Sequence, residues 1–262
     1  MDNSNDKFII RNFIHLLTDH CNLRCDNCST HSQYNKNHFS SFKMFEADIK
    51  KMSKHFHASN FMLMGGEPTL HPKLLDYINI VKSTGFCHNI NLYTNGTLLH
   101  RMPDELFKEV DLLVVGQYPG TTIDYLKLKD LLDEKLDKFG TQYKLRPFTE
   151  FNIYHTDTIE TNYEINKQKF LECDAAFTDN CHVIQDGYYY KCLSPYVNSK
   201  YKGYDNTLSG INIHDKEFPS NLFNHLLTDE PIDACKTCNG TKNPPSAPAR
   251  QITIIKRVSK NI

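Results

Sequence analysis

No run in this sequence approaches the ~20 consecutive apolar residues of a membrane-crossing helix, so no transmembrane segment is expected. Neither sign of charge dominates. Thirty Lys and Arg stand against 31 Asp and Glu, the formal net charge is −1, and no basic stripe marks a polyanion or nucleic-acid partner. The N-terminus is polar and acidic, which speaks against a secretory signal or transit peptide. Internal repeats and low-complexity tracts are also missing. Together these gaps predict a cytoplasmic chain. Thiols stay reduced in that compartment, and the nine cysteines, an odd number, cannot all pair. Metal or cluster ligation is the expected use of several of them.

The 262 residues suffice for one large core and a small appended unit. Short apolar runs alternate with helical patterns over the first ~165 residues, which reads as α/β architecture. Strands are expected at 12–17, 60–64, 89–93, 111–115 and 142–146, with helices at 45–56, 73–83, 104–109 and 124–138. The last helix is closed by Gly140. Beyond 165 the pattern weakens. A helix is expected at 163–172. A β-hairpin over 181–192 is expected from Asp186 and Gly187, a pair that suits a tight primed turn. The remainder to Cys238 reads as irregular, and residues 250–260 as a solvated strand or frayed tail. A domain boundary is expected near 165, separating residues 1–165 from residues 166–262.

Cys21, Cys25 and Cys28 form a Cys-x3-Cys-x2-Cys run in a polar loop just after the first strand. Thiolates are the usual ligands of iron–sulfur clusters. Three of them leave one iron of a four-iron cubane open to a further ligand. Zinc completed by His20 or His31 is the competing reading of the run alone. The second strand is followed by Gly65, Gly66, Glu67 and Pro68, where glycine permits close backbone approach and a carboxylate can pair with an ammonium. The third strand ends in Tyr93, Thr94, Asn95 and Gly96, and the fourth in Gly116, Gln117 and Tyr118. All four features follow strands and so belong on one rim, where β/α barrels place their chemistry.

On these motifs the chain resembles the radical S-adenosylmethionine (radical SAM) enzymes. The resemblance implies a partial (β/α)6 TIM-type barrel and a catalytic 4Fe-4S cluster on Cys21, Cys25 and Cys28. It also implies S-adenosylmethionine bound by Gly65, Gly66 and Glu67, with Thr94, Asn95 and Gln117 as further contacts. The usual partner of such enzymes is an external one-electron donor such as flavodoxin or ferredoxin. One departure stands out. Many members carry an aromatic residue before the third cysteine, near the adenine, and here that residue is Asn27.

Five cysteines follow residue 170. Cys173, Gly187 and Cys192 form one unit, and Cys235 with Cys238 forms a Cys-x2-Cys pair. This resembles the opening of the SPASM domain, truncated to the twitch form, which implies a second 4Fe-4S cluster on Cys173, Cys192, Cys235 and Cys238. A zinc ribbon is the alternative. Cys181 fits neither spacing and is either a small core residue, a further thiol near the cluster, or a hydrogen-atom donor. Arg146, ending the fifth strand, either orients a substrate group or makes a surface ion pair.

The layout is similar to that of the 2-deoxy-scyllo-inosamine dehydrogenases, which oxidise a secondary alcohol. A small-molecule substrate is therefore expected: a sugar, aminocyclitol or nucleotide-sugar. Peptide modification is a competing reading; only twenty residues precede Cys21, so a leader-binding domain is expected only from a separate partner. Radical epimerisation is another, with Cys181 as donor. A non-enzymatic zinc-binding module is the reading from outside enzymology.

Overall fold

The computed structural model describes residues 7–35 and 37–252. The N-terminal hexapeptide and the tail beyond 252 lie outside the described residues, so the expected tail is described only at its start.

Eight strands form one sheet, in the order β5-β4-β3-β2-β1-β7-β8-β9. The first five are β1 (Phe8–Thr18), β2 (Phe56–Gly65), β3 (Cys87–Thr94), β4 (Leu112–Gln117) and β5 (Gln142–Pro147). They pair in parallel, each with its sequence neighbour. Helices α1 (Phe42–Met52), α2 (Leu74–Ser83), α3 (Asp104–Glu109) and α4 (Tyr125–Phe139) fill the crossovers. Parallel pairing requires such long connections, and the sheet forms an open partial barrel rather than a closed one.

Helix boundaries follow local chemistry. Ser41 caps α1 by accepting from the Met44 amide. Asp124 caps α4 through the amides of Leu126 and Lys127, and Gly140 ends it at φ 77°, the left-handed conformation that glycine adopts without strain. The main core lies between the sheet and α1–α4. Phe13, Phe45, Phe56, Phe61, Tyr77 and Phe86 are fully enclosed there.

The C-terminal part departs from the sequence reading. Its hairpin, β7 (Cys181–Gln185) and β8 (Tyr188–Tyr190), forms with the primed turn expected, since Asp186 and Gly187 both have positive φ. Yet β7 pairs in parallel with β1 through Asn12, Phe13 and Ile14, supplying a sixth parallel strand. The hairpin thus continues the main sheet across the boundary near 165.

The stretch read as irregular contains α6 (Ser194–Lys202), β9 (Gly210–Asn212) and α7 (Phe218–Leu227). The helix expected at 163–172 is α5 (Tyr163–Leu171). The short strands β6 (Glu150–Asn152) and β10 (Ser246–Pro248) form a separate antiparallel pair.

Candidate active site

Strand β1 delivers the chain to a loop that is stitched back onto its own start. The Asp19 amide donates to the His38 carbonyl at 3.1 Å, and the Ser40 amide to the Leu17 carbonyl at 3.0 Å. Cys21, Cys25 and Cys28 lie on this loop. Asn27 sits at φ 57°, a left-handed conformation that asparagine tolerates far better than bulky residues do. Backbone geometry therefore gives Asn27 a reason to stand where the resemblance leads one to expect an aromatic.

The two histidines that could have completed a zinc site have other partners. The His20 ring lies 2.7 Å from the Thr18 hydroxyl. His31 stacks on Tyr201 with centroids 4.0 Å apart. Among the described residues, no three His, Cys, Asp or Glu side chains converge as ligands of one metal ion.

The end of β2 presses against the cysteine loop. A Cβ on Gly65 (φ 137°) would lie 2.4 Å from the Thr18 carbonyl oxygen, and one on Gly66 would lie 1.8 Å from that of His20. The amides of Gly66 and Glu67 donate to those same two carbonyls. The glycines thus admit the neighbouring backbone, whereas the sequence reading had them admitting a ligand.

Glu67 is fully buried and its carboxylate is already engaged. Oε1 accepts from the Thr69 amide at 3.1 Å, the Thr69 hydroxyl at 2.5 Å and the Thr94 hydroxyl at 2.6 Å. Oε2 accepts from the Asn95 amide at 2.8 Å. Burial pushes its pKa up, and the bonds from Asn95, Thr69 and Thr94 oppose that shift. Glu67 therefore ties the two glycine turns together from behind the cavity wall. Asn95 extends the network to the loop through Nδ2, 2.8 Å from the Asn22 side-chain oxygen and 3.6 Å from the Cys21 sulfur.

A cavity of about 510 Å³ opens over this network. Cys21, Cys25, Cys28, Gly65, Gly66, Thr94, Asn95 and Arg146 all line it. Gln117 and Glu67 do not, whereas Gly116 and Tyr118 do. Opposite the cysteines lies an aromatic shelf that the sequence reading missed. Tyr118 stacks on Phe148 at 4.8 Å and 8°, and Phe151 continues the stack. Only pairing β4 with β5 brings Tyr118 beside Phe148, so no local pattern announced it. Burial raises the Tyr118 phenol above its ordinary pKa, with smaller contributions from Cys25, Cys28 and Cys21.

An adjoining cavity of about 770 Å³ shares Met64, Tyr93, Arg146 and Tyr154 with the first. Cys173, Cys192, Cys235, Cys238 and Cys181 all line it. Burial raises the Cys192 thiol well above its usual range, and Cys235, Cys173 and Cys238 add to the shift. The four cysteines thus sit within electrostatic reach of one another. Lys169 holds the Cys235–Cys238 turn by donating to both carbonyls at 2.9 Å.

Cys181 opens β7 on the same wall, its thiol pushed up to about 11 by burial, with Asp179 and Cys173 adding. The polar lining includes Arg11, Asn12, Asn60, Asn91 and Asp179. His155 lies there too and was not singled out in the sequence. Its Nε2 meets the Ser29 carbonyl at 3.1 Å. Burial, with a smaller push from His31, lowers its pKa to about 4.

Residues 16–140 match the family described as the radical SAM superfamily. That stretch is a radical SAM domain. Such a domain implies a 4Fe-4S cluster ligated by S-adenosylmethionine.

Among curated proteins, the chain is 34% identical over 96 residues to the tungsten-containing aldehyde ferredoxin oxidoreductase cofactor-modifying protein of Pyrococcus furiosus. That match covers 36% of this chain and 25% of the relative. An uncharacterized protein of Methanocaldococcus jannaschii is 30% identical over 128 residues, covering 47% of this chain and 42% of the relative. The chain therefore spans well under two thirds of either relative. Among solved structures, BtrN in complex with AdoMet and 2-DOIA superposes with a TM-score of 0.57 at 14% identity, over 90% of this chain and 95% of that one. The anSMEcpe structure with bound AdoMet gives 0.53 at 14%, over 82% and 80%. At these identities the likeness is one of fold.

Proposed function

We propose that this radical SAM protein oxidises a secondary alcohol of a sugar, aminocyclitol or nucleotide-sugar. In this reading Cys21, Cys25 and Cys28 hold the cluster that carries S-adenosylmethionine. The observation that carries it is the convergence of these three thiols, both glycine turns and the aromatic shelf on one cavity, which adjoins a second cavity lined by five more cysteines. When bound, the cluster and S-adenosylmethionine supply a one-electron reductive cleavage that yields a 5′-deoxyadenosyl radical able to take a hydrogen atom. The donor set fits such a cluster. Three thiolates on one loop leave one iron of a four-iron cubane free for a further ligand, as S-adenosylmethionine requires.

The chain's own residues then divide the work. With the Gly66 amide bonded to Thr18, Gly65 and Gly66 offer backbone carbonyls to the cofactor's ammonium, and Thr94 and Asn95 line the wall beside them. Tyr118, Phe148 and Phe151 offer the adenine a stacking surface in place of the missing aromatic at Asn27. Asn91, on β3, gives a polyhydroxylated substrate an acceptor in its unpartnered side-chain oxygen, while Asn12 and Asn60 are bonded to each other beside it. Arg146, shared by both cavities, orients the substrate. Alcohol oxidation releases a proton and an electron besides the hydrogen atom. His155, whose Nδ1 is buried without a hydrogen-bond partner on this cavity, is the group we assign to take the proton. A second cluster on Cys173, Cys192, Cys235 and Cys238 would supply a one-electron acceptor. An external flavodoxin- or ferredoxin-like donor supplies the initial electron.

The test has two variants. Changing Cys21, Cys25 and Cys28 together to Ala abolishes 5′-deoxyadenosine formation, measured by chromatography after anaerobic reconstitution. Cys235→Ala with Cys238→Ala stops ketone formation while part of the cofactor cleavage persists, with iron counted in each sample. Normal turnover in a double variant that lacks the second cluster refutes the acceptor role.

Cys181 supports a second reading, epimerisation. It lines the same cavity, and a thiol whose pKa is near 11 keeps its hydrogen at neutral pH. Solvent deuterium appearing at an inverted carbon would select that reading over oxidation.

A further inference from the structure

The last described residues are built onto the cysteine loop. Cys25 and Gln251 form an antiparallel bridge. The Asp26 amide donates to the Arg250 carbonyl at 2.8 Å, and the Ile252 amide to the Arg24 carbonyl at 2.7 Å. The Arg250 guanidinium closes the clasp on the Asp26 carboxylate at 2.8 Å. Gln251 is its centre. Its Oε1 accepts from the Arg24 amide at 2.9 Å, and its Nε2 donates to the Cys25 sulfur at 3.2 Å. The side chain is buttressed from the far side by the loop after β4, where a Cβ on Gly120 would touch Gln251 Cγ at 3.4 Å. A carboxamide with both ends used and its stem supported is held in one orientation, with its N–H aimed at sulfur.

We infer that Gln251 is a positioning residue that sets the reduction potential of the cluster held by Cys21, Cys25 and Cys28, through its N–H bond to the Cys25 sulfur. The inference rests on the cluster assignment above. Hydrogen bonds to ligand sulfur are among the determinants of cluster potential. A donor at sulfur stabilises the more electron-rich, reduced cluster and so raises the potential. Asn95 and Thr30 also face cysteine sulfurs of this set, but both come from the barrel's own loops. Gln251 comes from the far end of the chain, so the C-terminal segment sets how readily the cluster is reduced.

The experiment is an anaerobic redox titration followed by electron paramagnetic resonance. The signal that changes on adding S-adenosylmethionine identifies this cluster. Gln251→Met, which keeps the shape and removes the donor, moves the midpoint to a more negative value. Gln251→Glu keeps an acceptor for the Arg24 amide while replacing the donor with an anionic oxygen, and moves it further the same way. Arg250→Ala loosens the clasp, keeps the amide and leaves the midpoint at the wild-type value. If both Gln251 variants titrate like wild type, the inference fails. It fails equally if Arg250→Ala shifts the midpoint as far as Gln251→Met, because loop geometry would then set the potential. Wild-type protein that takes up no cluster at these cysteines overturns the cluster assignment itself, and this inference with it.

Discussion

Glu67 shows how far a motif can be read before its neighbours are known. Alone the Gly-Gly-Glu-Pro segment reads as a plain turn, and it pointed to the site only through its place after the second strand and the cysteine run. Its carboxylate was expected to meet an ammonium. The fold encloses it among four donors, two of them backbone amides. Amides can only donate, so a glutamine there must turn its NH₂ toward one of them. Glu67→Gln therefore costs about 1–3 kcal/mol, the range for stranding a buried polar group. The urea midpoint should fall accordingly. Because the same carboxylate holds the Thr94–Asn95 turn, S-adenosylmethionine affinity should fall with it in equilibrium binding. Unchanged stability and affinity in this variant would remove Glu67 from the network. Gln117 stays out of the cavity lining for a simpler reason. Strand β4 presents Gly116 to the cavity, and the Tyr118 ring folds back across that glycine.

At the scale of elements, legibility followed how local the cause was. The helices and parallel strands up to Pro147 were all anticipated, with their ends displaced by a few residues, since alternating apolar runs and caps such as Asp124 and Gly140 are local signals. The Asp186–Gly187 hairpin was anticipated for the same reason. What the hairpin pairs with was not. The choice of β1 as the partner of β7 depends on Asn12, Phe13 and Ile14, about 170 positions away, and no spacing within either segment encodes it. Helices α6 and α7 were missed because Pro195 and Pro219 sit in their first turns. Proline is favoured there but breaks the apolar run on which a periodicity argument depends. The C-terminal clasp escaped entirely. Three residues with no periodicity form it, and their partners lie at the other end of the chain.

At the scale of the whole molecule, the parallel sheet and the hairpin unit behave as one packed body, and two buried histidines mark their junction. His15, on β1, approaches the Ile184 carbonyl at 2.8 Å through Nδ1. His182, on β7, accepts from the Tyr189 hydroxyl at 2.7 Å and approaches the Ala176 carbonyl at 3.2 Å through Nε2. Both are almost wholly enclosed, at 1% and 2% exposure. Burial lowers His15 to about 3 and His182 to about 4, and the backbone carbonyls only partly oppose it. In the unfolded chain both titrate near 6.5. Below that pH the unfolded state binds protons that the folded state refuses, so stability is complete above pH 6.5 and declines as pH falls toward 4 and then 3. Each group contributes a slope of at most about 1.4 kcal/mol per pH unit in that window. Urea unfolding followed by circular dichroism at pH 7, 5.5 and 4.5, at fixed ionic strength, should give steadily falling midpoints. Carboxylates held low by ion pairs, such as Asp104 between Lys135 and Lys138, add their share only nearer pH 4. The decline between 6.5 and 4.5 therefore reports the buried histidines. Burial lowers His31, His155 and His225 to about 4 as well, so His182→Gln should reduce that slope by about a fifth. A midpoint that stays level from pH 7 to 4.5 would mean that the junction accepts protons as freely as the unfolded chain does.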